Sequence, residues 1–130
     1  IDVLKSKSIK NIKLPVSAPF HCKLMSRATE AMKKKINEAN FKETNNVLIS
    51  NVSAKEIENK DDLKKLLIEQ IENRVRWRES VLNMIDKGVN HFIEIGPGKV
   101  LSGLVKRIDK GKNLLSINEI EDIKNINLND

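Results

Sequence analysis

Residues 89–117 read VNHFIEI, then GPG, then KVLSGLVKRI and, past DKGK, NLLSI. Two short apolar runs flank a segment whose apolar residues return at helical spacing, and a glycine pair punctuates the first junction. Strand, helix and strand in that order constrain this chain more than any other feature. A helical crossover returns the second strand parallel to the first. The expectation is an α/β fold with a parallel or mostly parallel sheet and covering helices.

Elsewhere the pattern is mainly helical. Leu24, Met25, Ala28, Met32, Ile36 and Ala39 predict a helix over about 22–39, with Met25 and Met32 in the core and Lys33, Lys34 and Lys35 facing water. DDLKKLLIEQI, from Asp61, predicts a second, its acids at the end where the helix dipole favours them. VRWRESVLNMIDKG, with Val75, Val81, Leu82 and Ile85 in phase, predicts a third that Gly88 closes. IKLPVS at 12–17 reads as extended, because Pro15 and Pro19 keep helix from starting before them. VLISNV at 47–52 suits a buried strand. The final EIEDIKNINLND is weakly helical and then polar, with an end expected to fray.

A length of 130 residues allows one core, in one domain or a piece of one. No apolar run approaches the roughly 20 residues of a membrane span, so no membrane association is expected. A single cysteine, Cys22, excludes an intramolecular disulfide, and with two histidines it makes no zinc cluster unless carboxylates complete one; no metal is expected. The first residues carry no pattern of a secretory signal, so none is expected, and a reducing cytoplasm fits best. A first residue of Ile suggests that something upstream is missing. The net charge of +6 sits at the front: residues 1–42 hold ten Lys/Arg against three Asp/Glu, and 43–130 hold fourteen against fifteen. Such a front suits nucleic acid, an acidic protein or a phosphate-bearing cofactor. With no Tyr, three Phe and one Trp, stacking platforms are scarce, and nucleic acid is not the expected partner.

GPGKVLSG invites a nucleotide-binding reading that fails on spacing. A Walker loop needs Gly at 93 and Ser or Thr at 100, where Ile93 and Val100 stand, and a dinucleotide fingerprint needs Gly at 101, which is Leu101. What is left is a strand, a tight turn with close packing and a helix N-terminus whose N–H groups face the sheet's carboxyl edge. His91 reads as a strand residue, Cys22 as a buried thiol and Trp77 as a helix anchor. His21, in PFHCKLM, differs: it sits where an extended segment turns into a helix and can project into a crevice over the sheet edge. Its chemistry there would be that of a general base for a Ser or Cys nucleophile.

PVSAPFHCKLM, SNV at 50–52, QIENRVRW at 70–77 and FIEIGPGKVLSGLVKRI at 92–108 together resemble the C-terminal part of malonyl-CoA:acyl-carrier-protein transacylases. The resemblance implies an α/β-hydrolase-like core, of which 16–130 form the C-terminal part, preceded in 1–15 by the end of a ferredoxin-like small subdomain. It implies malonyl transfer from malonyl-CoA, as substrate with no bound cofactor, to the thiol of acyl carrier protein through a seryl intermediate in fatty-acid synthesis. His21 falls on the family's catalytic base and Gln70 on the residue whose main-chain carbonyl orients it; Gly96 and Gly98 match a turn at the crevice rim. Lys5, Lys7, Lys10 and Lys13 are the candidate docking residues for the acidic carrier protein. Arg74 departs from the family, which often has proline there, so a different local turn is expected. None of the nine serines has the Gly-x-Ser-x-Gly setting of an exposed nucleophile. The nucleophile is therefore expected in an N-terminal portion outside this chain, which by itself should be inactive. A degenerate, non-catalytic binding module is the alternative reading.

Overall fold

The computed structural model describes residues 1–12, 16–42, 44–124 and 126. Its elements are α1 (Asp2–Ser6), a 3-10 turn (Lys23–Met25) running into α2 (Ser26–Glu38), α3 (Lys60–Gln70), α4 (Trp77–Asp86), β1 (His91–Ile95), α5 (Val100–Ile108), β2 (Asn113–Ile117) and α6 (Ile120–Lys124). β1 and β2 pair in parallel, from His91 opposite Asn113 to Ile95 opposite Ile117. The expected strand–helix–strand unit is therefore present, within a small α/β arrangement. α5 packs on both strands and on α4, α2 packs on α3, and α6 lies against β2.

The two most deeply buried large side chains, Val81 on α4 and Val105 on α5, lie on helices that pack together. A hydroxyl pair, Ser102 Oγ to Ser116 Oγ at 3.0 Å, ties α5 to the inner face of β2. Strand alternation turns Ile93, Ile95 and Leu115 to the other face. There Ile95 is 79% exposed, Ile93 44% and Leu115 38%, whereas parallel sheets are normally covered on both faces.

The GPG turn is set by backbone angles. Gly96 has φ 140° and Gly98 φ 93°, values that L side chains rarely adopt. A Cβ at either would meet nothing within 4 Å, so the expected close packing is absent. The N–H groups beyond the turn are also taken. Asn118 Oδ1 accepts from Gly98 N at 2.7 Å, and the Glu94 carboxylate accepts from Leu101 N at 3.0 Å and Ser102 N at 2.7 Å. The helix N-terminus expected to present its N–H groups at the sheet's edge is thus capped by the chain's own Glu94, reaching from β1 to α5.

The Ser102 hydroxyl and then its N–H, with help from Leu101 and Val100, hold the Glu94 carboxyl below the ordinary glutamate range against the opposing effect of burial. A carboxyl depressed by folding stabilises the fold above its unfolded titration range, and that contribution disappears as pH falls through the folded one. Glu94→Gln should therefore lower the melting temperature at pH 7, and the gap from the parent should close as the solution is acidified past the carboxylate range. A gap that persists in acid would show that the charge is not what caps α5.

Several expectations need correction. VLISNV forms no strand: Ile49 makes one isolated antiparallel bridge to Glu56, and Asn51 and Val52 enter a turn. Ser50 is the cause, its hydroxyl accepting from Val52 N and Ser53 N while Lys55 O accepts from Ser50 N. Side-chain competition of this kind overrides the β-branched pattern. The helix expected at 22–39 begins with a 3-10 turn, and Leu24 and Met32 are exposed, so Met32 is not a core residue; Met25 is half-buried. α1 was not signalled by any periodic pattern. In the IKLPVS stretch, residues 13–15 lie outside the described residues, and those on either side form no strand.

Candidate functional site

α3 starts from a strong cap. Asn59 Oδ1 accepts from Asp61 N and Asp62 N, and Asn59 Nδ2 donates to Asp62. The helix ends at Gln70 in a tightened last turn, with Ile71 N donating to Ile68 O and Glu72 N to Glu69 O. Gln70 therefore stands where helical carbonyls lose their usual partners.

His21 reaches that carbonyl from 49 residues away. No strand precedes it among the described residues, so the expected strand-to-helix junction is a tight turn instead. Phe20 N donates to Ala18 O, and the Cys22 thiol donates to Pro19 O at 3.1 Å. Cys22 is half-buried and fastens the turn rather than packing beneath it. His21 itself has φ 60°, a left-handed conformation uncommon outside glycine and the kind of local cost found at functional sites. Its Nδ1 lies 2.9 Å from Gln70 O. A carbonyl only accepts, so Nδ1 carries the proton in this bond, and in the neutral ring Nε2 keeps its lone pair. Phe20, His21, Met25, Leu67, Gln70 and Ile71 line an open cleft of about 330 Å³.

The remaining candidates lie apart or serve structure. Lys5 is in the last turn of α1, Lys7 caps it and Lys10 follows, all exposed; Lys13 lies outside the described residues. His91 is exposed, with Nε2 2.9 Å from Asn113 Nδ2. Trp77 is half-buried, its indole N–H enclosed without a partner among the described residues. Arg74 places a guanidinium nitrogen 3.7 Å from Glu79, and Arg76 N donates to Asn51 O, joining the turn at 50–56 to the start of α4. The Glu79 backbone N–H, then Arg76, hold the Glu79 carboxyl below its ordinary range. Among the described residues no group of three or more His, Cys, Asp and Glu is arranged to hold a metal. None of their helices is long and apolar enough to cross a membrane.

A histidine oriented by a backbone carbonyl can serve as a base, but geometry alone does not name a substrate. No protein-family model matches the chain. The malonyl CoA-acyl carrier protein transacylase of Bacillus subtilis (strain 168) is 44% identical over 113 residues, 87% of this chain and 36% of that protein. The chain belongs to the malonyl CoA-acyl carrier protein transacylase family.

The fold agrees. The crystal structure of the Clostridium perfringens transacylase superposes with a TM-score of 0.83 at 35% identity, covering 95% of this chain and 39% of that one. A malonyl-transacylase solved in complex with a type II PKS acyl-carrier protein matches with a TM-score of 0.83 at 31% identity, over 95% of this chain and 40% of that one. The chain thus spans about two-fifths of the length of the transacylases it matches.

Proposed function

We propose that this chain supplies the general base of a malonyl-CoA:acyl-carrier-protein transacylase, His21, and that a serine nucleophile comes from a segment outside these 130 residues. The observation that carries the reading is the 2.9 Å bond from His21 Nδ1 to Gln70 O. It fixes the tautomer a base needs and does the orienting work of a triad carboxylate without a second charge. Nε2 takes the serine proton as the hydroxyl oxygen attacks the malonyl thioester. The carbon–sulfur bond then breaks, and the coenzyme A thiolate leaves with the proton from Nε2. In the second half the carrier's thiol gives its proton to Nε2 and attacks the malonyl ester; the ester carbon–oxygen bond breaks, and the serine oxygen leaves with the proton from Nε2. Malonyl-CoA enters as substrate and no bound cofactor is required.

In this reading 16–130 form the C-terminal part of an α/β-hydrolase-like core, and 1–15 end a ferredoxin-like subdomain. The exposed Ile93, Ile95 and Leu115 fit a sheet that the longer protein would continue and cover. The cytoplasm, where the lone thiol stays reduced, is the compartment we assign. Lys5, Lys7, Lys10 and Lys13 are assigned to docking of acyl carrier protein; the solved transacylase–carrier complex supports a carrier as partner.

The test is malonyl transfer from malonyl-CoA to holo acyl carrier protein by the full-length protein that contains this chain. Transfer is expected, and its absence with a folded protein overturns the reading. Reversing the four lysines to Glu should raise the KM for carrier protein and flatten its salt dependence, because charge at such a surface acts mainly on encounter. An unchanged salt slope would place the carrier elsewhere.

A further inference from the structure

Gln70 O is available to His21 only because α3 stops where it does. In a continuing α-helix the N–H four residues on, that of Arg74, would donate to Gln70 O. Instead three donors converge on the preceding carbonyl, Glu69 O: Asn73 Nδ2 at 2.7 Å, Asn73 N at 3.0 Å and Glu72 N at 3.2 Å. Asn73 is thereby pinned to α3 through both side chain and backbone, and the chain leaves the helical path before Arg74. Among the described residues Arg74 N makes no bond to Gln70 O, and His21 Nδ1 is the donor that carbonyl receives.

We propose that Asn73 is a positioning residue: its side-chain amide terminates α3 and reserves the Gln70 carbonyl for His21. The proposal rests on the reading of His21 as the base and deepens it. Without the amide, the helix gains an incentive to add a turn, most strongly when alanine, the best helix former, replaces asparagine. Arg74 N–H then competes for Gln70 O, and the His21 ring loses the bond that holds its proton on Nδ1.

The experiment uses the full-length protein labelled with 15N-histidine, with the His21 resonances assigned by their loss in His21→Ala. In the parent, the neutral His21 ring should be predominantly the Nδ1–H tautomer. Asn73→Ala should move it toward a mixture of tautomers and lower kcat by roughly 3- to 10-fold, the size of one weakened hydrogen bond, with KM for malonyl-CoA little changed. Asn73→Asp, the same shape without a donor toward Glu69 O, should shift the tautomer too. Asn73 is exposed, so these changes leave the core untouched. The decisive variant is Asn73→Ala combined with Arg74→Pro, which removes the competing N–H and should restore tautomer and kcat together. A parental His21 tautomer in Asn73→Ala and Asn73→Asp overturns the proposal, as does a double variant with no recovery. A tautomer that responds as expected in a protein that transfers no malonyl would support the positioning role and overturn the transfer reading.

Discussion

Replacing His21 with alanine in the full-length protein will lower malonyl transfer by about 10²- to 10⁴-fold, the range that a positioned base contributes. The loss should fall on kcat, because the imidazole acts on the serine and thiol protons in the transition state rather than on ground-state binding. Both half-reactions should slow, since one Nε2 serves both. Steady-state kinetics with malonyl-CoA and holo acyl carrier protein measure the first statement. Rapid-quench formation of the malonyl-enzyme, followed by its discharge to the carrier, measures the second. A variant with near-parental turnover would end the assignment, whatever the distance between Nδ1 and Gln70 O.

The 130-residue chain incubated with malonyl-CoA on its own should form no malonyl adduct. A base without a nucleophile has nothing to deprotonate, and no serine here has the flanking glycines that hold a hydroxyl out on a strained turn. Intact-mass analysis reads this directly. With the remaining portion of the protein supplied, a malonyl group should appear on a serine of that portion and depend on His21. An adduct on the isolated chain at Cys22 would overturn the assignment. That thiol is half-buried and already donates to Pro19 O, so acylation there would require the turn that carries His21 to open.

The strand–helix–strand unit was legible because its parts differ in pattern: two short apolar runs, an α5 with a period close to 3.6, and glycine turn angles between. The same holds for α3, whose acids and apolar residues announce it, and for Gly88, which closes α4 at φ 89°. VLISNV failed because periodicity does not see the Ser50 hydroxyl, which captures two backbone N–H groups and bends the segment. The Glu94 cap was missed because it spans seven and eight residues from strand to helix, outside the three-residue window in which a cap is sought. Asn73 was missed as well: it acts through a side-chain bond to Glu69 O rather than through the left-handed backbone by which glycine or asparagine ends a helix.

His21 was visible as a residue type in a suggestive setting, but its partner was not visible in any side chain. Every residue has a carbonyl, so composition and spacing cannot mark the one at Gln70; only resemblance to a family pointed there. The sequence by itself determined the longer helices, the strand–helix–strand unit and where glycine must stand, and that none of its serines has the flanking glycines of an exposed nucleophile. Tertiary structure decided that the carbonyl at the end of α3 is unclaimed and that a turn 49 residues earlier brings Nδ1 within 2.9 Å of it. The physical reason is that a main-chain acceptor becomes a functional group only through the geometry that leaves it free, and that geometry depends on where a helix stops and what packs beside its end.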